Sequence, residues 1–124
     1  MTQRRPLIAV NWKMNCLRSD GLVLASSLAA KAAEKGSLDC DVLVCPPATL
    51  LSEVVGTTHN SAVAVGGQDC HAATSGEHTG DIAAAMLADV GAGYVLVGPS
   101  ERRAHTGERL TVITPTALAV ADAG

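Results

Sequence analysis

Phenylalanine is absent from these 124 residues, and Trp12 and Tyr94 are the only aromatic side chains. A core cannot rest on stacked rings here. It has to come from the Val, Leu, Ile, Ala and Met that dominate the 48% hydrophobic fraction. Basic blocks are also missing. The net charge is −3 with no Lys/Arg run, which argues against a nucleic-acid partner. No apolar stretch approaches the roughly 18 residues of a membrane span, so no membrane partner is expected. Arg4-Arg5 precede Leu7-Ile8-Ala9-Val10, but that stretch stops at Asn11, too soon for an export signal. The four cysteines, Cys16, Cys40, Cys45 and Cys70, show neither C-x-x-C spacing nor paired histidines. Reduced thiols in a cytoplasmic protein follow, rather than a disulfide framework or a zinc site. No metal and no cofactor is expected.

What is present is a repeated alternation of short apolar runs and helical segments. The chain is organised around Tyr94-Val95-Leu96-Val97, a β-branched run halted by Gly98-Pro99. Pro99 suits the first position of a helix, and Glu101 then falls in its first turn, where negative charge is favoured. Upstream, Leu7–Val10, Asp41–Cys45 and Ala62–Val65 read as buried strands. Ser19 or Asp20 can cap a helix on which Leu24, Leu28 and Ala32 recur, with Gly36 ending it. A short helix from about Ala48 to Val55 closes at Gly56. The segment from Cys70 to His78 reads as loop. Thr79 is placed to cap a helix with Ile82, Met86 and Val90 on one face and Gly91 at its end. Beyond Gly107-Glu108, Leu110–Thr114 reads extended and Thr114-Pro115 can open a last helix. Strand starts near 7, 41, 62 and 94 are spaced as parallel β/α units, giving an α/β chain with a four-stranded parallel sheet, (β/α)4.

Several blocks resemble the triosephosphate isomerase family. They are Asn11-Trp12-Lys13-Met14-Asn15, then Gly67-Gln68-Asp69-Cys70 through Gly76, Thr79 and Gly80, then Ala85-Met86-Leu87 with Gly91. Ser100-Glu101-Arg102-Arg103 and Gly107-Glu108 complete them, in the family's order. A full (β/α)8 barrel needs ~250 residues. The resemblance therefore implies the amino-terminal half of such a barrel over residues 1–108, with 109–124 a divergent strand/helix segment of the same domain. It also implies the family reaction, dihydroxyacetone phosphate to glyceraldehyde 3-phosphate, shared by glycolysis and gluconeogenesis. Under it Lys13 is the cation for substrate phosphate and transition state, with Asn11 orienting it. Glu101 is a vestigial proton-transfer candidate. Met14, Thr79, Asp81 and Arg102 are dimer contacts, Asp81 a partner for Arg102. Where the family carries its electrophilic histidine this chain has Pro99, which offers neither proton nor donor.

Each role has a plainer alternative. A lone lysine is ordinarily a solvated surface group, and an acid in a first helical turn needs no chemistry to explain it. Ser100 has no base beside it. His59, His71, His78 and His105 lie in loops or near turns without an evident orienting carboxylate. Half a barrel leaves sheet edges and a concave apolar face uncovered, which favours association. The expectation is a self-associating half-barrel, inactive or nearly so alone. The two alternatives are an isomerase active only with a separate carboxyl-terminal half, and a small module binding triose phosphate or phosphate anion.

Overall fold

A computed structural model describes residues 5–98. Strand and helix alternate: β1 (Leu7–Asn11), α1 (Arg18–Lys35), β2 (Asp41–Cys45), a 3-10 turn (Ala48–Leu50) leading into α2 (Leu51–Thr58), β3 (Val63–Gly67), α3 (Ala84–Asp89) and β4 (Tyr94–Val95). The strands lie side by side in chain order, β1-β2-β3-β4, and every pairing is parallel. The four-stranded parallel α/β sheet read from the sequence is the one the chain forms.

Register places the site. Leu7 lies opposite Asp41 and Asn11 opposite Cys45, so β1 and β2 end level. Val42–Val44 pair with Val63–Val65, which carries β3 one step further to Gly66-Gly67 against Tyr94-Val95. The approach there is close: a Cβ on Gly67 would lie 2.9 Å from the Leu87 side chain, so only glycine lets α3 settle on the strand end. At the other end of the sheet, Arg5 ties the strand entrances together. Its guanidinium donates to Asp41 at 3.1 Å and to the carbonyls of Leu38 and Cys40 at 2.9 and 3.0 Å.

The core lies between β2–β3 and the helices α1 and α2. Val44, Leu50, Leu51, Val54, Val63 and Val65 form it, joined by Trp12, Ala25, Ala32 and Leu87. Burying each such aliphatic side chain contributes about 1.5–3 kcal/mol. The α1 stripe is Gly21, Ala25 and Ala32 with Leu28 half-buried, whereas Leu24 stays exposed. Gly21 matters because a Cβ there would meet Leu50 at 3.0 Å. Asp20, in the first turn, accepts the Leu17 N–H at 2.7 Å and so closes the helix start.

Several expected boundaries move: α1 starts at Arg18 with Leu17, not Ser19 or Asp20, at its cap, and β3 runs Val63–Gly67 instead of Ala62–Val65. The helix expected to close at Gly56 runs on to Thr58, whose hydroxyl donates to the Val54 carbonyl at 2.9 Å and so stays satisfied while buried. Thr79 does not cap α3. The His71 N–H donates to the Ile82 carbonyl at 2.8 Å and His71 bridges Ala83, holding Ile82-Ala83 extended, so the helix starts at Ala84. Its buried residue is then Leu87, with Met86 55% exposed. The fourth strand covers Tyr94-Val95 rather than Tyr94–Val97, although the Leu96 N–H still donates to the Gly67 carbonyl at 2.9 Å. Among the described residues no helix is long and apolar enough to cross a membrane. The expected extended segment Leu110–Thr114 and the last helix, from Thr114-Pro115 to Gly124, lie outside the described residues.

Candidate functional site

The carboxyl ends of β1, β2 and β3 converge on the loop Trp12–Cys16. Asn11, the last residue of β1, accepts the Lys13 N–H on its side-chain oxygen at 2.8 Å. Gln68, just after β3, donates through Nε2 to the Lys13 carbonyl at 2.7 Å and to the Cys45 carbonyl at 2.9 Å. The Cys45 carbonyl also receives the Trp12 N–H at 3.1 Å, and Asn15 donates to the Trp12 carbonyl at 2.7 Å. One amide thus staples the ends of three strands around Lys13.

That wiring holds a costly backbone. Lys13 has φ +57° and Cys16 φ +79°, the left-handed region that side chains with a Cβ avoid. Each costs about 1 kcal/mol or more, and such residues persist only where the surroundings over-determine them. Here Asn11 and Gln68 do so, and the outcome is an exposed Lys13 at the mouth of the sheet. Beneath it Trp12 is 5% exposed and its Nε1–H has no hydrogen-bond partner among the described residues.

Burial disfavours the thiolate at both buried cysteines. Burial pushes Cys45 up to about 11, with a smaller opposing effect from the backbone N–H of Gly66. Cys70 is raised too, by burial first and then by the neighbouring Asp69 carboxylate. A cleft of about 180 Å³ opens between α2 and the third loop, residues 68–83 between β3 and α3, lined by Leu51, Gln68, Asp69, Asp81, Ile82 and Leu87 among others. Its two carboxylates make it a poor phosphate site beside the Lys13 end of the sheet.

Of the residues singled out in the sequence, Asn11 and Lys13 are brought together. Met14 follows them with 95% of its surface exposed. Thr79 and Asp81 are exposed on the third loop. Pro99, Ser100, Glu101, Arg102, Arg103 and His105 lie outside the described residues. Sequence reasoning missed Gln68, although it sits in one of the blocks that carry the resemblance: an amide directly after a strand end is the signal that was there to use. It also left His71 without a carboxylate, whereas His71 Nε2 lies 3.9 Å from Asp81 Oδ2.

Parallel β/α units with anchored loops at the carboxyl ends of the strands define one class, the (β/α)-barrel scaffold. The solved triosephosphate isomerase of Bartonella henselae superposes on 98% of this chain and 48% of its own, with TM-score 0.87 and 37% identity, so the four strands are half of such a barrel. The triosephosphate isomerase family model matches residues 6–124, and the chain belongs to that family. The triosephosphate isomerase of Bradyrhizobium sp. (strain ORS 278) is 54% identical over all of this chain and 49% of its own length. That of Afipia carboxidovorans is 51% identical over 97% of this chain and 47% of its own. The chain spans about half the length of the curated relatives it matches.

Proposed function

We propose that these residues form the cation-bearing half of a triosephosphate isomerase site, one that binds the phosphate of a triose phosphate through Lys13 and turns it over poorly or not at all alone. The observation that carries this is the stapled Lys13, held by Asn11 and Gln68 with its backbone at φ +57° at the carboxyl end of the sheet. The family reaction needs a glutamate base, a neutral histidine electrophile and a closing loop, features for which triosephosphate isomerase is itself the standard example. Pro99 stands at the histidine position, and the family's glutamate base belongs to the half of the barrel that these residues do not span. Removing one such donor already costs ~10²–10³ in rate. Glu101 is left with a vestigial role.

The same reading makes the half-barrel self-associating in the cytoplasm. β1 is exposed along its length, with Leu7, Ile8 and Val10 at 47, 53 and 44%. A second copy can pair a parallel strand there, or the third loop, with Thr79 and Asp81, can dock beside a neighbour's Lys13 and Met14, Arg102 answering Asp81. A separately supplied carboxyl-terminal half would compete for the same edge and restore turnover. The test is isomerisation of dihydroxyacetone phosphate by the purified chain, with phosphate-dependent thermal stability measured alongside. Expected are no appreciable turnover and a phosphate shift that Lys13→Ala abolishes. Brisk turnover, or no phosphate shift in the parent chain, overturns the reading.

A further inference from the structure

Two edges of the sheet stand open, one at each end of the strand order. Among the described residues β1 is paired on one side only, and so is β4. Both edges carry apolar side chains in solvent: Leu7 and Ile8 on β1 are 47 and 53% exposed, and Tyr94 on β4 is 43% exposed. The four strands have the curvature of half a circuit, because they superpose on half of a closed barrel. A second copy, turned by 180° about the barrel axis, supplies the other half. Its β1 then falls beside β4, and its β4 beside β1.

The register fixes which residues meet. Asn11 lies opposite Cys45. Cys45 is one step past the Val44–Val65 pair and so opposite Gly66, which faces Tyr94. An eight-stranded barrel of this class has a shear of about 8, so half a circuit shifts the register by about four residues. Four residues back from Asn11, Tyr94 comes opposite Leu7 of the second copy, and Val95 opposite its Ile8. The opposite sense would need residue 15, past the end of β1. Leu7 and Asn11 are two strand periods apart, so Leu7 and Tyr94 also share a face. The apolar groups left exposed at the two ends of the sheet are thus the ones that closure brings together.

We propose that two copies of this chain close head to tail into one eight-stranded barrel, β4 of each on β1 of the other, so that two Lys13 residues face each other across a single mouth. Pairing β1 with β1 would leave both β4 edges bare, whereas this closure leaves no edge. Eight strands about 4.8 Å apart and tilted by about 36° make a ring about 15 Å across. A lysine side chain from each side spans most of that opening. The ligand it fits is a short chain with a phosphate at each end, a clause that rests on the proposed anion role of Lys13 while the closure does not. Once one phosphate is held, capture of the other is intramolecular, which favours the double ester by roughly 100-fold.

The full chain carrying Leu7→Cys and Tyr94→Cys tests the closure, oxidised at micromolar concentration and mapped by mass spectrometry. A dimer is expected in sedimentation, with position 7 of each copy bonded to position 94 of the other, since directly paired strands bring their Cα atoms within disulfide reach. Should that variant not fold, Ile8→Cys with Val95→Cys repeats the measurement one step along the same register. A monomer, or a bond joining position 7 of one copy to position 7 of the other, overturns the closure. Titration with butane-1,4-diol bisphosphate then reads the mouth. One ligand per two chains is expected, bound roughly 100-fold more tightly than butyl phosphate. Lys13→Ala should remove that advantage and keep the 7–94 bond. One bisphosphate per chain, or binding no tighter than that of butyl phosphate, overturns the shared mouth. A 7–94 bond with neither ester bound upholds the closure and rejects Lys13 as the anion site; esters bound by a monomer do the reverse.

Discussion

β1 and β2 are paired residue for residue, Ile8-Ala9-Val10 opposite Val42-Leu43-Val44, and built from the same apolar stock, yet they live in different solvents. Leu43, Val44 and Cys45 are 3, 0 and 0% exposed, while Leu7, Ile8 and Val10 keep 44–53% of their surface. β2 has a strand on each side; β1 has one only, among the described residues. Burial is therefore a property of position in the sheet, and an apolar run does not report it. A parallel strand open along one edge, with apolar groups exposed along it, is an unsatisfied surface.

Paired substitutions across the two strands should give the largest contrast. Val44→Asp puts an unpaired charge into the core and is expected to cost more than ~4 kcal/mol, enough to unfold the domain, as read by urea denaturation. Val10→Asp should change stability by no more than ~0.5–1 kcal/mol and lower self-association in sedimentation. A cost for Val10→Asp near that of Val44→Asp would mean that β1 is already covered in solution. A second pair makes the same contrast on α3. Leu87→Ala should cost ~2–5 kcal/mol, and Met86→Ala, from the exposed side, less than ~0.5.

The end of β2 adds a pH signature that β1 lacks. The Cys45 thiol is raised to about 11 from 9.0 by burial. The folded state therefore holds that proton more tightly than the unfolded chain. The stability it contributes is whole below pH 9 and lost as pH rises from 9 towards 11, up to ~3 kcal/mol at ~1.4 kcal/mol per unit. Thiol labelling at pH 8 should find Cys16 and Cys40 reactive and Cys45 and Cys70 protected; prompt labelling of Cys45 would show the strand end to be open.

How much is legible in the sequence follows from the same contrast. Strand identity, order and the parallel sheet can be read, because β-branched runs between Gly and Pro signals are local. The start of the third helix cannot, because it is set by the His71–Ala83 bridge, a contact across twelve residues that no periodicity reports. Asn11 and Lys13 stand out through a contiguous block. Gln68 does not, since its function is to bond the carbonyls of Lys13 and Cys45, 55 and 23 residues away. Gln68→Leu, close in shape but without the donors, should cost ~1–2 kcal/mol and weaken the phosphate shift.

The smallest effect carries information on what the loop after β1 is for. With φ +57°, Lys13 is the kind of position where glycine relieves strain and alanine keeps it. Lys13→Gly should therefore be more stable than Lys13→Ala by ~1 kcal/mol, and about as stable as the parent chain or slightly more so. Both variants should lose the phosphate-dependent shift in thermal unfolding, because both lose the ammonium. The two readouts are independent, and their combination is the point. A glycine variant that is stable but blind to phosphate shows a residue retained at a structural cost for its charge. Equal stability of the glycine and alanine variants would show that the backbone at this position is relaxed in solution, and the carboxyl end of β1 would then be as loosely held as its exposed edge.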